Sequence, residues 1–545
     1  MKSIMNKLLS GFLVTSLLML LSTSCKKVLD IGPYDSLTDV TTFTSPDRVE
    51  GAVNGVYDAA QSGFYAGGAV RGYPFGAASI EQGDMRGADM LTFVTFYAIT
   101  YEATYTVTSA NNDFQFQTLY ALINKANLTI EGVNGAVANG IITAAVGNVY
   151  VAECRLLRAM AHHELLIYFA RPYRDGNGSQ LGIIYRDFGV NGDATAALAL
   201  AKTRTTVADG YTKLLADLDY AEANLPASLT GANKTYRATK AAAIALKMKA
   251  RLHMGDWPNV IAEGAKLVPA TPSMTSYPGY TSAIGGWKLE TSPVTPFTTG
   301  GWQGNEAIFS MRNASTDNGG VNGALPNMLG NTSIGGRGII RISPVIFNLP
   351  EFLCADARRG MMSVIGAGAT ANYVTTKYID PTTSTDPAPL IRYAEVLLTL
   401  AEAEARQNGI TSRAMFLLND VRNRSLPGGP GNFTTPPALT YTVASFANTT
   451  AFIRAVLAER RIEFIAEGKR WSDIHRNAAD PVFNEGGIPA KVGVGASTFA
   501  MYVCGAGATY PTSVSAFPYS DYRFLWPIPL SETQVNVNYA QNPGY

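Results

Sequence analysis

The run Tyr150 to Phe169 (YVAECRLLRAMAHHELLIYF) contains neither glycine nor proline, and its apolar residues recur at helical spacing until Arg171-Pro172 stops it. This pattern constrains the fold most, because it returns along the chain. Thr206 to Leu225 is a second predicted helix, halted by Pro226. Thr239 to Met254 is a third, closed by Gly255, and a fourth follows from Trp257 to Val268. Leu390 to Gln407 places Leu390, Ala394, Leu397, Leu398, Ala401 and Ala405 on one face. Its partner runs from Ser412 to Arg424, and Phe452 to Trp471 is predicted as the last long helix.

Several of these helices form pairs with small residues at the crossings. Ala250, Leu252, Gly255, Asp256, Trp257 and Ala265 resemble the glycine–aromatic–alanine spacing of a tetratricopeptide unit, and Ala403, Gly409, Ala414 and Leu418 repeat the logic. Small residues let two helices approach closely, so such pairs stack. Between them, Gly63 to Asn112, Pro269 to Ile342 and Pro427 to Thr440 carry no strong helix period. The first two stretches are rich in aromatics: Phe64, Tyr65, Tyr73, Phe75, Phe93, Phe96 and Tyr97, then Tyr277, Tyr280, Trp287, Phe297 and Trp302. Loops that long on a rigid scaffold are where binding sites sit.

Composition narrows the function classes. With 47% hydrophobic residues the chain can bury a large core, which excludes bulk disorder. Only 16% of residues are charged and the net charge is +1, which excludes a general nucleic-acid binder. A glycine- and tyrosine-rich, weakly charged surface suits neutral polar ligands.

The N-terminus reads as an address. Lys2 and Lys7 precede a mostly apolar run from Leu8 to Leu21, then Ser22-Thr23-Ser24-Cys25. These are the zones of a secretory signal at residues 1–24, ending like a bacterial lipobox. The expectation is that Cys25 carries lipid, palmitate among its chains, and that residues 25–545 are the mature protein. No other segment is apolar enough to span a bilayer. The remaining cysteines, Cys154, Cys354 and Cys504, are far apart and form no CxxC pair, so neither a disulfide framework nor a zinc site is expected. Cys154 reads as a small core residue.

Enzyme signatures do not survive inspection. His163-Glu164 opens like a zincin helix, but Ile167 stands where the second histidine must be. His162, His163, His253 and His475 are the only histidines, and three lie in helical patterns. Gly505-Ala506-Gly507 lacks a third glycine and a following helix, so no dinucleotide cofactor is expected. Glu459, Glu463 and Glu467 fall on one helical stripe and repel. The expectation is a structural network, compensated by Arg460, Arg461 and Arg470 locally and by Arg422 or Arg424 from a neighbour. Arg392, Glu395, Glu402 and Arg406 are expected to pair along their own stripe.

Several blocks resemble the SusD/RagB family of Bacteroidetes outer-membrane lipoproteins. They are Val28-Leu29-Asp30, Pro33-Tyr34-Asp35 and Ala52 to Tyr57 near the start, Ala152 to Ala159, and Ala238 to Leu252. Further on come Ile391 to Ala403, Leu418 to Arg424, Glu459 to Asp473, and Trp526-Pro527-Ile528-Pro529 through Tyr545. The resemblance implies a mostly α, SusD-like fold with degenerate tetratricopeptide-like helix pairs as scaffold and long irregular loops carrying the ligand surface. It implies a single domain over 25–545, with an N-terminal segment to about 225 and a C-terminal segment from about 226. It also implies a non-catalytic, surface-facing binding protein without cofactor or metal, acting with a TonB-dependent SusC-like transporter. Most members bind glycans and some handle peptides. A surface glycosidase and a purely structural lipoprotein are the less favoured functions. The Lys26-Lys27 pair lacks the acidic residues often found in surface-export signals of these bacteria. Within that frame, Tyr73, Asp84, Phe93, Trp287 and Trp302, with Arg86 and Asn112 as polar partners, are the expected ligand-binding residues. The rings would stack on sugar C–H faces and the polar groups would bond the edges.

Overall fold

The computed structural model describes residues 39–61, 72–273, 277–429, 436–505 and 510–545. The signal at 1–24, Cys25, Lys26-Lys27, the blocks at 28–30 and 33–35, and Phe64 and Tyr65 lie outside the described residues, as do two of the three residues of Gly505-Ala506-Gly507.

The longer helices are α1 (Pro46–Gln61), α2 (Ala77–Arg86), α3 (Ala110–Ala138), α4 (Ala144–Phe169), α5 (Val207–Asn224), α6 (Lys240–Met254), α7 (Trp257–Leu267), α8 (Tyr393–Asn408), α9 (Ser412–Asn423), α10 (Thr449–Glu463) and α11 (Arg470–Asn477). From α3 to α9 each helix packs on the next, and α10 returns onto α8. The hydroxyls of Thr143 and Thr206 and the amide of Asn448 cap helix starts by accepting from Val146 N, Asp209 N and Ala451 N. Gly255, at φ 74°, ends α6 in the left-handed conformation that glycine adopts without penalty. At the α7–α8 crossing a Cβ on Gly264 would lie 2.8 Å from Leu400 Cδ1, so the small residue sets the approach of the two helices.

Two predictions from periodicity fail. The run Phe452 to Trp471 is two helices, broken where Ala466 and Gly468 take φ of 64° and 74°. There the turn meets α2: a Cβ on Gly83 would sit 2.6 Å from Gly468 O. The stretch Gly63 to Asn112 is not all loop, since it holds α2 and the start of α3. The longest described helix, α3, is masked in sequence by its Asn, Thr and Gly content. Gly132 is there because the Phe43 ring occupies the place of a Cβ, 2.2 Å away.

Short strands form two-stranded ladders at the loop end of the scaffold: β1 (Met90–Thr92), β2 (Ala307–Met311), β3 (Ile340–Ile342), β4 (Met362–Ile365), β5 (Asn372–Thr375) and β6 (Ala388–Arg392). β1 pairs antiparallel with β3, β2 with β6, and β4 with β5, and β3 lies beside β5. One hydrophobic cluster runs from Val56 to Tyr539 through all the helices. Among the described residues, no helix is long and apolar enough to cross a membrane.

The cysteine expectation is corrected. Cys354 and Cys504, 150 residues apart, form a disulfide with Cα atoms 5.4 Å apart, while Cys154 is buried and free. Pairing at such separation is set by tertiary approach, which spacing does not reveal.

Candidate functional site

Most of the expected ligand residues are buried. Trp287 is 0% exposed with the Lys234 ammonium over its ring, and Trp302, 5% exposed, stacks on Tyr378 at 6.0 Å. Tyr73 accepts from Gln82 Nε2 at 2.8 Å and packs on Phe114. The Asp84 carboxylate receives Gly468 N at 3.0 Å and Arg470 N at 3.3 Å, so it holds the turn between α10 and α11. Burial pushes its pKa up to about 7, against the backbone hydrogen bonds. Arg86 lies 3.6 Å over the Trp471 ring and donates to Tyr105 Oη and to the carbonyls of Arg523 and Phe524, which pins the C-terminal segment. Asn112 is buried on α3, and among the described residues its side-chain amide has no hydrogen-bond partner. Six of the seven residues therefore sit beneath the surface and offer no face to a ligand in this conformation. Their rings and charges join distant segments, and that task selects large or charged side chains as strongly as binding does.

Phe93 stands apart, half-exposed just beyond β1. The Arg341 guanidinium lies 3.5 Å from its ring centroid. Burial draws the Arg341 pKa below its usual value, with Tyr502 opposing. Tyr502 is 5.2 Å from Tyr373, whose ring stacks on Phe347 at 4.7 Å and on Phe499 at 5.9 Å. The three stacked rings form a column that leads from buried Phe347 to Phe499, 42% exposed. Val364, directly across the β4–β5 ladder from Tyr373 and so on its side of the sheet, is 47% exposed, and Phe96 near Phe93 is 39% exposed.

This face is held rigidly. Asn348 brackets the segment after Phe499 by donating to Met501 O at 2.7 Å and accepting from Val503 N at 2.8 Å. The single Tyr502 hydroxyl proton lies between Ile342 O and Asn372 Oδ1, each 2.8 Å from Oη, and Ser497 Oγ donates to Asn372 Oδ1. Gly495 N donates to Thr92 O at 3.1 Å, tying the same segment to β1. The Cys354–Cys504 disulfide closes the bracket. Fixed flat rings with one side toward solvent can receive an apolar ring face, and Arg341 and the polar backbone around it can bond a hydroxylated edge. Of the contributing residues, sequence reasoning singled out Phe93 and noted Phe96. Arg341, Tyr373, Phe499 and Tyr502 were missed, because four distant segments supply the face; the alternation Asn372-Tyr373-Val374-Thr375 was the one local signal.

The glutamate stripe resolves into a buried ion network. Glu463 accepts from Arg424 at 2.7 Å, Arg392 at 2.9 Å and Arg358 at 3.0 Å. Arg392 also bonds Glu467 at 2.8 Å and Glu306, while Glu467 takes Lys377 at 2.6 Å. Arg424 was an expected partner. The local arginines serve elsewhere: Arg460 pairs with Asp473, Arg461 with Asp89 and Arg470 with Glu485. Glu402 and Arg406 pair at 2.8 Å along their own stripe as expected, whereas Arg392 and Glu395 find partners off it. Burial would raise the Glu463 carboxyl, but Arg424, Arg392 and Arg358 hold it well below the usual range. The histidines are interior groups: His162 Nδ1 meets Arg158 O at 2.9 Å, and burial takes its pKa down to about 3.

Residues 358–545 match the model of the SusD family, and residues 29–252 match a family model described as "Starch-binding associating with outer membrane". Among solved structures, a SusD superfamily protein from Bacteroides fragilis is 25% identical, with a TM-score of 0.70 over 91% of this chain and 99% of that one. A SusD-like carbohydrate binding protein from Bacteroides vulgatus is 18% identical, with a TM-score of 0.70 over 91% and 97%. Surface glycan-binding protein A from Bacteroides uniformis is 18% identical, with a TM-score of 0.65 over 91% and 99%. No match was found among curated proteins.

Proposed function

Because the chain belongs to the SusD family, we propose that it is a non-catalytic glycan-capture protein of the outer membrane, tethered by lipid at Cys25 and delivering its ligand to a TonB-dependent SusC-like transporter. The observation that carries the reading is the braced face of Phe93, Arg341, Tyr373 and Phe499. A sugar ring has apolar C–H faces and polar edges, and this surface offers fixed aromatic planes beside a guanidinium. The family model described as starch-binding, and the carbohydrate- and glycan-binding descriptions of the Bacteroides structures, point the same way. The apolar run before Cys25 supports the lipid tether, and display toward the cell surface completes the proposal.

Two measurements test it. The purified mature chain, applied to a glycan array, should retain one class of polysaccharide without releasing product; retention of peptides alone, or product formation, would overturn the capture reading. Affinity purification of the tagged chain from outer membranes should bring down a TonB-dependent receptor, and its absence would remove the delivery step.

A further inference from the structure

The aromatic face carries a positive charge that no acidic group beside it answers. The segments that build it, 90–101, 331–376 and 491–517, hold Arg337, Arg341, Arg358, Arg359 and Lys491 against Glu351 and Asp356. The excess is local, since the whole chain has a net charge of +1. Most of these groups are committed. Asp356 pairs with Arg358 at 2.7 Å, and Asp89, just ahead of β1, pairs with Arg461 and Arg470. The charge of Glu351 acts on Tyr441 and on neither Arg341 nor Arg359. Arg359 is held by the carbonyls of Phe347, Phe352 and Leu353, and Arg337 by Val321 O and Asn322 Oδ1. Lys491 is buried and donates to Tyr101 O at 2.7 Å.

Arg341 is the exception. It stands on β3 between buried Ile340 and Ile342, and is itself half-buried. Its Nε donates to Gly338 O at 3.0 Å, and among the described residues Nη1 and Nη2 make no hydrogen bond or ion pair. Only Tyr502 opposes the effect of burial on its pKa, so no described carboxylate stands close enough to compensate its charge. The guanidinium carbon lies 3.5 Å from the Phe93 centroid, a separation that face-to-face stacking explains. Stacking occupies the flat face of the guanidinium and leaves its in-plane N–H groups at the edge. With Nε committed, the open edge is the one formed by Nη1 and Nη2. Its two parallel N–H groups match the two oxygens of a carboxylate. The fork stands beside the stacked rings, since Tyr502, which acts on its charge, has its own ring 5.2 Å from Tyr373. A uronic acid residue offers the complementary pair: an apolar C–H ring face and a planar carboxylate next to it.

We propose that this face selects acidic glycans, the Nη1–Nη2 edge of Arg341 receiving a uronate carboxylate while a sugar ring of the same polymer lies on Phe499. That the ligand is a glycan rests on the capture reading; the preference for a carboxylate rests on Arg341.

The probes are polygalacturonate, alginate and hyaluronan, each beside its carboxyl-reduced neutral counterpart, titrated calorimetrically into the mature chain. At least one acidic polymer should bind about fivefold or more tighter than its reduced form, because a bidentate charge-assisted pair exceeds a neutral hydrogen bond. Arg341→Gln, with folding checked by melting, should abolish the preference. Arg341→Lys, which keeps the charge and loses the fork, should lower it, so the test holds even if the glutamine variant unfolds. Arg337→Gln, which removes a cation bonded elsewhere, should leave the preference intact. No preference in any pair, a preference undiminished in a folded Arg341 variant, or one lost equally in Arg337→Gln would each overturn the proposal. Polysaccharide retention on the array with no preference in any pair leaves the capture reading standing; retention of no polymer, charged or neutral, removes that reading and the preference with it.

Discussion

Replacing Arg392 by methionine removes the guanidinium that bonds Glu306, Glu463 and Glu467 at once, all at buried positions. Methionine keeps most of the volume, so the change is mainly one of charge. Arg358, Arg424 and Lys377 then face Asp356, Glu306, Glu459, Glu463 and Glu467. Breaking one side of a buried ion pair costs about 3–5 kcal/mol, roughly a hundred- to several-thousand-fold in the folding equilibrium. The cost depends on pH in a definite direction. In the native chain burial raises Glu467, but Arg392 and Lys377 outweigh it and hold the group below its usual range, and Glu463 behaves alike. Carboxylates held down stabilise the fold above their unfolded pKa, and the contribution fades as pH falls. In the variant burial has less opposition, the folded carboxyls rise, and stability is lost as pH increases through them. The gap between native and variant should therefore widen from about pH 5 to about pH 8, where the ionised carboxylates lack their partner. Urea denaturation followed by tryptophan fluorescence reads this directly, Trp471 being fully buried. A loss under about 1 kcal/mol near neutrality, or a gap that narrows as pH rises, would refute the network's assigned role.

Trp302→Ala should destabilise the fold by about 3–5 kcal/mol in denaturation, while leaving polysaccharide affinity per folded molecule unchanged, because the ring is packed on Phe297 and Tyr378. Cys354→Ser should lower stability by up to about 5 kcal/mol on the loop-entropy relation for a 150-residue separation. It should also weaken polysaccharide binding, because the segment carrying Phe499 loses one of its ties; unchanged binding and melting would mean that the bond is dispensable. Burial pushes the Cys154 thiol well above its usual range, so with the disulfide intact a thiol reagent should leave it unmodified until the chain is denatured.

The scaffold was legible because helices announce themselves locally. Glycine- and proline-free runs, Thr206 as a cap and Gly255 as a stop all act within a few residues of the elements they bound. The break at Ala466 to Gly468 was not legible, since the reason for it is α2, far away in sequence, pressing against Gly468. The burial of most of the expected ligand residues was not legible for the same reason. An aromatic residue in a glycine-rich stretch reads alike whether it lies beneath a loop, as Trp287 does, or on top of one, as Phe96 does. The distinction is made by neighbours from other segments. Phe499 is a platform because Tyr373 stands beneath it and Asn348 and Cys354 hold its loop.

The most direct test of the account is the affinity of the mature chain for the polysaccharide it retains, measured by gel retardation beside the Phe93→Ala, Phe499→Ala double variant. Loss of two stacking rings at about 1 kcal/mol each should weaken binding by roughly tenfold or more with the melting temperature held. Undiminished retention by a folded double variant would contradict the assignment of this face as the place where the ligand lands.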